Sequence, residues 1–248
     1  MNMRLRAPQE VPTRLRAQLL GRRVRVTEVA EVSPRIRRLV LRADDWAAPP
    51  GPRPAPSLTV QVGSLRNPRA FKRTYTVSRQ EPDGALELFA LAHGDGPGSA
   101  LVRSLTVGDE VVVRGPEGGL ALDATADFQL VTGDESALGS VAAIARALAP
   151  GTRLVVHLQS AGPVDRLRAA LSLDHLRAEV SWTPAGPSER LVGAVAAGPL
   201  PSGRGAAWLL GELRSIQAVR NHLRSDRGWD RRQISTKPYW TPGRTGMD

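Results

Sequence analysis

The sequence predicts an α+β protein of two domains: an antiparallel β-barrel or sandwich, followed by a doubly wound α/β parallel sheet. Three observations support this prediction. The 248 residues suffice for two domains of ordinary size, each with its own core. Short alternating runs punctuated by proline and glycine fill the chain from residue 21 to about residue 123. Beyond that point, buried strand patterns alternate with helical ones, which is typical of a parallel sheet.

Six segments of strand length define the first domain, predicted at residues 21–124. They are Val24–Val29, Ile36–Leu41, Leu58–Val62, Tyr75–Ser78, Leu86–Leu91 and Glu110–Val113. Because turns separate them and no long amphipathic helix intervenes, they indicate an antiparallel sheet closed on itself or folded in two. The proline-rich stretch Ala48–Pro56 is expected to be a loop. Residues 1–20 are expected to form an arginine-rich arm.

The second domain, predicted at residues 125–248, carries four strand patterns and two helical ones. The strands are Phe128–Val131, Leu154–Val156, Glu179–Trp182 and Ala206–Leu210, and the helices run from Leu138 to Leu148 and from Leu213 to Leu223. A C-terminal aromatic tail, Tyr239-Trp240, follows. Doubly wound sheets bind ligands at the carboxyl ends of their strands, where Gly133 and Gly211 fall.

The charge and the aromatic content of the chain limit the kinds of partner that the protein is expected to bind. The net charge of +10 comes mostly from arginine, since Lys72 and Lys237 are the only lysines. A basic surface attracts anions such as dinucleotides, acidic metal chelates or an acidic protein donor. Nucleic acid is not expected, because aromatic content is only 4% and no helix-turn-helix, zinc or RNP pattern occurs.

The cysteine count and the apolar runs limit the setting of the protein. With no cysteine, the chain forms no disulfide, Fe–S cluster or thiolate metal site. No apolar run is long enough to cross a bilayer, and the N-terminus lacks the features of a secretory signal. We therefore expect a cytoplasmic protein with no membrane partner, and a monomer.

The run Arg73–Val77 is the first candidate site. In a strand, Arg73 and Tyr75 share a face, so both can contact one ligand. Arginine suits phosphate through its planar fork of donors, and the tyrosine ring can lie against a flat ring system. Thr76 points to the other face. The same run also fits an ordinary edge strand.

The glycine-rich segment His93–Ser99 is the second candidate site. Its glycines, including Gly96 and Gly98, allow close backbone approach, and Pro97 is suited to open a short helix whose free amides can hold phosphate. Ser99 can donate from the first turn. Together the two segments predict a site for a flat, phosphate-bearing cofactor, with FAD as the candidate. The alternative is a surface loop of the same composition.

The turn Gly133–Ser136 follows a buried strand and precedes a helix. That place favours a pyrophosphate, but Asp134 and Glu135 are anions, so helix capping is the alternative. No G-x-G-x-x-G fingerprint, catalytic triad, Walker loop or metal-ligand spacing occurs. We expect no metal site, and any chemistry is expected to reside on a bound cofactor.

The ordered set of motifs resembles the siderophore-interacting proteins, FAD-binding ferric-siderophore reductases of the flavin/ferredoxin-reductase superfamily. The resemblance rests on RTYTV at Arg73–Val77, HGDGPGS at His93–Ser99, VGD at Val107–Asp109, GPEGG at Gly115–Gly119, GDESAL at Gly133–Leu138, GE at Gly211-Glu212, VRNHLR at Val219–Arg224 and YW at Tyr239-Trp240. It implies a Greek-key FAD-binding barrel and a nicotinamide-binding-like α/β domain.

The resemblance also implies residue roles. Arg73 and Tyr75 would hold the FAD pyrophosphate and isoalloxazine, and Thr76 would lie near the flavin N5. The remaining implied cofactor contacts are Thr74, Val77, His93, Gly96, Pro97, Gly98, Ser99, Gly133, Asp134, Ser136 and Trp240. Lys237, Tyr239 and Arg244 are the candidate contacts to substrate. No protein residue is implied with certainty to be catalytic, since the flavin carries the chemistry.

The implied activity is reduction of a ferric siderophore with electrons from NAD(P)H or ferredoxin. Two segments, His157–Gly162 and Thr183–Gly186, depart from the family pattern on the nicotinamide side, so the electron donor stays open. The alternative is a flavoprotein of the same fold that serves natural-product biosynthesis. Such a protein would act on an organic substrate by redox or non-redox chemistry.

Overall fold

A computed structural model describes residues 21–43, 53–63 and 72–243. The first half is a closed six-stranded antiparallel barrel, as predicted. Its strands are β1 (Arg22–Ser33), β2 (Ile36–Arg42), β3 (Ser57–Gln61), β4 (Lys72–Gln80), β5 (Leu86–Leu91) and β6 (Glu110–Glu117), in the order β1-β2-β5-β4-β3-β6. The predicted arm at residues 1–20 and most of the predicted Ala48–Pro56 loop lie outside the described residues.

Alternation of side chains explains the barrel. In β1, Val24 and Val26 are buried, whereas the intervening Arg25 faces solvent. The barrel interior includes Leu58, Leu86 and Leu88, each nearly inaccessible to solvent. A single helix, α1 (Pro97–Ser104), lies between β5 and β6 in sequence and adds Val102 to this core.

The second half is a five-stranded parallel sheet with helices. The strands are β7 (Phe128–Asp134), β8 (Arg153–Ser160), β9 (Arg177–Pro184), β10 (Gly205–Glu212) and β11 (Ile234–Trp240), in the order β11-β10-β7-β8-β9. The helices are α2 (Leu138–Ala147), α3 (Val164–Ala169), α4 (Ser188–Ala197) and α5 (Leu213–Ser225), with short 3₁₀ turns at Glu135–Ala137 and Arg231–Gln233. The sequence prediction missed α3 and α4.

The predicted aromatic tail is instead the edge strand β11. It runs parallel to β10, with Ala207 opposite Ile234 and Glu212 opposite Trp240. Pro238 within it breaks the expected strand pattern, but an edge strand tolerates proline because only one of its sides is paired. The consequence is that Tyr239 and Trp240 are fixed by the sheet.

Helix α2 joins the two halves. A Cβ built on Gly139 would lie 3.5 Å from the Thr76 carbonyl oxygen, so the helix packs directly on β4. Arg146 of the same helix donates to the Ser78 carbonyl oxygen at 3.1 Å and pairs with the buried Glu87 at 3.3 Å. Burial alone would raise the pKa of Glu87, but hydrogen bonds from Ser78 and Arg38, and the charge of Arg146, lower it overall.

The described helices are short or polar. None of them has the length and apolar character needed to cross a membrane. Within the same residues, no group of three or more histidine, aspartate or glutamate side chains is placed to hold a metal ion.

Candidate functional site

The two candidate segments meet at one edge of the barrel. The first turn of α1 packs against β4, so that a Cβ added to Gly98 would lie 2.9 Å from Arg73 Cγ and 3.4 Å from Tyr75 Oη. Glycine is therefore required for this close approach. Residues about 25 positions apart in sequence thus form one cluster that holds a cation, an aromatic ring and a helix N-terminus.

Hydrogen bonds of two side chains, Ser99 and Arg103, hold the glycine-rich loop in place. The Ser99 hydroxyl donates to the His93 carbonyl oxygen at 2.6 Å and accepts from the His93 amide at 3.0 Å. Arg103 donates to the Gly94 carbonyl oxygen at 2.6 Å. The Ser99 hydroxyl is thus engaged in holding the loop, and the backbone amides of the first helical turn are what remains to meet an anion.

These residues fit the chemistry of FAD. Within the described residues, no carboxylate pairs with Arg73, whose guanidinium donates to the Lys72 carbonyl oxygen at 2.6 Å, and no side chain caps α1. A diphosphate would supply the missing negative charge to both. Burial raises the pKa of Tyr75 to about 12, against a smaller opposing effect of Arg73, so its ring is neutral and suited to stacking.

Strand β11 crosses the same edge of the barrel. Lys237 and Tyr239 reach two residues that are paired across β3 and β4: the Lys237 ammonium donates to Ser57 Oγ at 3.0 Å, and the Thr76 hydroxyl lies 3.5 Å from Tyr239 Oη. Burial lowers the pKa of Lys237. The arrangement places the predicted substrate contacts Lys237 and Tyr239 beside Thr76.

Asp134 is the acceptor for four donors at the sheet edge. It accepts from the Ser136 amide at 2.8 Å and from the Ser136 hydroxyl, from the Glu212 amide at 2.7 Å and from Trp240 Nε1 at 3.0 Å. The bond to the Ser136 amide shows that Asp134 has the alternative role, capping the turn that follows β7; its predicted contact to the cofactor stays a prediction. Gly211, with φ of +125°, leaves room for this carboxylate, since a Cβ there would clash with it.

Trp240 connects the hydrogen-bonded group around Asp134 to the barrel. Its ring lies 5.7 Å from the His93 ring at an angle of 39°. Loss of solvent around His93, with the charge of Arg35 second, lowers the pKa of the imidazole. The predicted cofactor residues His93, Asp134 and Trp240 are thus one connected group.

A cavity of about 470 Å³ lies between the barrel and the sheet. Its charged lining consists of Arg35, Asp134, Glu135, Glu189, Glu212 and Arg214. Arg35, from the turn between β1 and β2, pairs with the buried Glu135 at 2.6 Å. Burial raises the pKa of Glu135, although Arg35 and a hydrogen bond from Ser160 oppose the rise. Carboxylates therefore outnumber guanidinium groups in this cavity.

Protein carboxylates cap two of the helical segments on the sheet side, those that follow β7 and β10. Asp134 caps the 3₁₀ turn at Glu135–Ala137, and Glu212 accepts from the Arg214 and Ser215 amides at 2.9 and 2.7 Å. Helix N-termini at the ends of parallel strands are where dinucleotide phosphates bind in such sheets. Here the donors after β7 and β10 are already paired, whereas the start of α4, which also lines the cavity, has no side-chain cap.

Several of the predicted site residues do not contribute a side chain to the cluster. Val77 points into the barrel core and Thr74 faces solvent opposite Thr59, so neither side chain joins the cluster. Gly133 lets β7 pass β10, because a Cβ there would overlap the Leu210 carbonyl oxygen. Arg244 lies outside the described residues. Sequence reasoning missed Arg35 and Ser140; the signal for Ser140 is a hydroxyl within an otherwise apolar helix.

Two family models match successive parts of the chain. Residues 23–121 match the oxidoreductase FAD-binding domain, and residues 126–243 match the siderophore-interacting protein. The fold and the site therefore define a protein of the flavin/ferredoxin-reductase superfamily, with an FAD-binding barrel and a nicotinamide-binding-like α/β domain. The chain belongs to the siderophore-interacting protein family.

Individual relatives agree with this assignment. A siderophore utilization protein from T. fusca is 25% identical, with a TM-score of 0.78 over 92% of this chain and 95% of that one. The ferric vibriobactin reductase of Vibrio cholerae is 29% identical over 180 residues, 69% of this chain and 65% of the relative. An uncharacterized Mycobacterium tuberculosis protein is 33% identical over 152 residues, 56% of this chain; the match spans about half of that relative, 53%.

Proposed function

We propose that this protein binds FAD and reduces a ferric siderophore, which releases ferrous iron. The observation that carries the proposal is the meeting of Arg73 and Tyr75 with the uncapped N-terminus of α1 at Gly98. That cluster lies in a barrel that matches an FAD-binding domain. The similarity to a ferric vibriobactin reductase supports iron as the electron acceptor.

FAD, when bound, takes up an electron pair and passes electrons singly to ferric iron. The residues of this chain bind and orient it. Arg73 and the first-turn amides of α1 hold the diphosphate, and Tyr75 lies against the ring. Lys237, half-buried beside Tyr239, is the proposed contact to the anionic chelate; Arg244, predicted for the same role, lies outside the described residues.

The test is anaerobic. The purified protein should be yellow, and its reduced flavin should reoxidise when a ferric siderophore is added, as followed by visible absorbance. The matched control is the same siderophore loaded with gallium(III), which has the charge and size of ferric iron but accepts no electron. Reduced flavin that ignores catecholate, hydroxamate and carboxylate ferric siderophores alike would refute the assignment.

The electron donor is tested separately. Because Asp134 and Glu212 already cap the segments after β7 and β10, a dinucleotide pyrophosphate has to find other donors, such as the uncapped start of α4. Anaerobic titration of the oxidised protein with NADH, NADPH and reduced ferredoxin ranks the three donors by their rates of flavin bleaching. Gel filtration of the same preparation tests the predicted monomer.

A second candidate function is redox chemistry on an organic substrate. The observation that favours it is the acidic lining of the cavity, where Asp134, Glu135, Glu189 and Glu212 face only Arg35 and Arg214. Such a lining repels an anionic chelate and suits a neutral or cationic molecule. Reduced flavin that reoxidises with an organic acceptor and not with any ferric siderophore would support this alternative.

A further inference from the structure

Three hydroxyl groups from three different elements form a closed triangle at the junction of barrel and sheet. Ser140 Oγ of α2 lies 2.6 Å from Tyr239 Oη of β11 and 3.3 Å from Thr76 Oγ1 of β4. The third side, from Thr76 Oγ1 to Tyr239 Oη, measures 3.5 Å. The Ser140–Tyr239 contact is therefore the strong side, and the Thr76–Tyr239 contact is the weak one.

Counting hydrogens shows what the triangle can do. Each hydroxyl has one hydrogen to donate and can accept from a neighbour. In the closed triangle, Ser140 donates to Thr76, Thr76 donates to Tyr239 and Tyr239 donates to Ser140, so all three hydrogens are used. Opening the 3.5 Å side costs least. It leaves a chain from Tyr239 through Ser140 to Thr76, in which only Thr76 has a hydrogen to offer outward.

Burial strengthens this chain. The Ser140 side chain is fully buried, and burial raises the pKa of Tyr239, although its bonds to Ser140 and Thr76 oppose the rise. Tyr239 therefore stays protonated and acts as the first donor. Where water is excluded, successive hydrogen bonds polarise one another, so Thr76 becomes a better donor than an isolated threonine.

We propose that Tyr239 and Ser140 are positioning residues that orient the Thr76 hydroxyl as a hydrogen-bond donor toward the bound flavin. The inference rests on the proposed function, which places FAD beside Thr76. It gives Tyr239 a role different from substrate contact. It also makes the hydrogen bond offered by a barrel residue depend on two residues of the α/β half.

The test measures the midpoint potential of bound FAD in Thr76→Val, Ser140→Ala and Tyr239→Phe, each of which removes one hydroxyl with little change of shape. Each should change the ratio of affinities for oxidised and reduced FAD by about three- to tenfold, the upper figure being about 30 mV for a two-electron couple. Adding Tyr239→Phe to Thr76→Val should shift the potential no further, because both act through one hydroxyl. Thr76→Ser should keep the wild-type potential.

Arg146→Met is the matched control. It loosens the same junction by removing the contacts to Ser78 and Glu87 without touching the triangle, so the potential should not change. Wild-type potentials in Tyr239→Phe and Ser140→Ala, or fully additive shifts in the double variant, would overturn the inference alone. FAD binding without reduction of any ferric siderophore would overturn only the proposed function, and a chain that binds no FAD would overturn both.

A second measurement covers variants that bind FAD poorly. In the ligand-free protein, a double-mutant cycle between Ser140→Ala and Tyr239→Phe should show coupling of their unfolding equilibria, because the two hydroxyl oxygens lie 2.6 Å apart. Independent effects of these two substitutions would contradict a chain that passes from Tyr239 to Ser140.

Discussion

The barrel edge at the start of α1 and the sheet edge at Asp134 and Glu212 differ in how their helix N-termini are capped. On the barrel side, α1 begins at Gly96 and Pro97 and has no side-chain cap among the described residues. On the sheet side, Asp134 and Glu212 each accept hydrogen bonds from backbone amides at the start of a helical segment. One edge presents positive partial charge, and the other neutralises it internally.

The difference in capping implies different roles for the two edges, ligand binding on the barrel side and fold stability on the sheet side. Uncapped amides and a guanidinium without a carboxylate partner are poorly satisfied until an anion arrives, so the barrel edge gains from binding a diphosphate. The carboxylates of Asp134 and Glu212 have already made their hydrogen bonds to the backbone, so they stabilise the fold. Substitutions on the barrel edge should therefore change the affinity for FAD, and those on the sheet edge should change the free energy of unfolding.

The largest effect is expected for Arg73→Ala. Hydrogen bonds to a charged group contribute about 1.5–3 kcal/mol, so losing this guanidinium should raise the dissociation constant for FAD about 10- to 100-fold. Fluorescence titration of the ligand-free protein measures the change. Thermal stability without FAD should stay close to wild type.

Arg79→Ala is the control for Arg73→Ala. Arg79 lies on the same strand, but its guanidinium pairs with Glu81 at 2.6 Å instead of facing α1. It should bind FAD like the wild type. If both variants lose affinity equally, the loss reflects overall charge, and the barrel edge is not a specific anion site.

A smaller effect on the same edge is expected for Gly98→Ala. The added Cβ would lie 2.9 Å from Arg73 Cγ, so the arginine or the helix has to shift. We expect the affinity for FAD to fall about threefold to tenfold, as for loss of one good hydrogen bond. Gly193→Ala in α4, where a Cβ meets nothing within 4 Å, is the control and should leave affinity unchanged. Unchanged affinity in Gly98→Ala would show that the close approach is not needed.

Local patterns were enough to predict most of the fold. The six barrel strands and β7 to β10 follow from alternation or buried runs, and each observed strand overlaps its predicted segment. β11 was missed because its signal is not local: Pro238 interrupts the pattern, and only pairing with β10 makes the segment a strand. Helix α3, with only six residues, is too short to show a period.

The candidate site, too, could be predicted from the sequence only where the signal is local. Arg73, Tyr75 and Gly98 could be singled out because each lies in a short motif with its own chemistry. Contacts between distant segments could not be predicted. From the sequence, Asp134 is an anion in a turn with two possible roles, phosphate binding or capping. In the structure it also accepts a hydrogen bond from Trp240, a residue 106 positions away. Nor does any pattern in sequence bring Ser140 to Tyr239, since the two meet only when α2 and β11 pack against the barrel.

The smallest effect on FAD affinity should come from the sheet edge, with Glu212→Ala. Removing a side chain that caps a helix costs about 1–2 kcal/mol, so the free energy of unfolding in urea should fall by that amount while the affinity for FAD stays within about twofold of wild type. Glu212→Gln keeps one acceptor oxygen and should lose less. Glu189→Ala is the matched control, because this carboxylate lines the same cavity but caps no helix among the described residues. A loss of FAD affinity in Glu212→Ala as large as in Arg73→Ala would mean that both edges hold the cofactor, and the division between binding and stability would not stand.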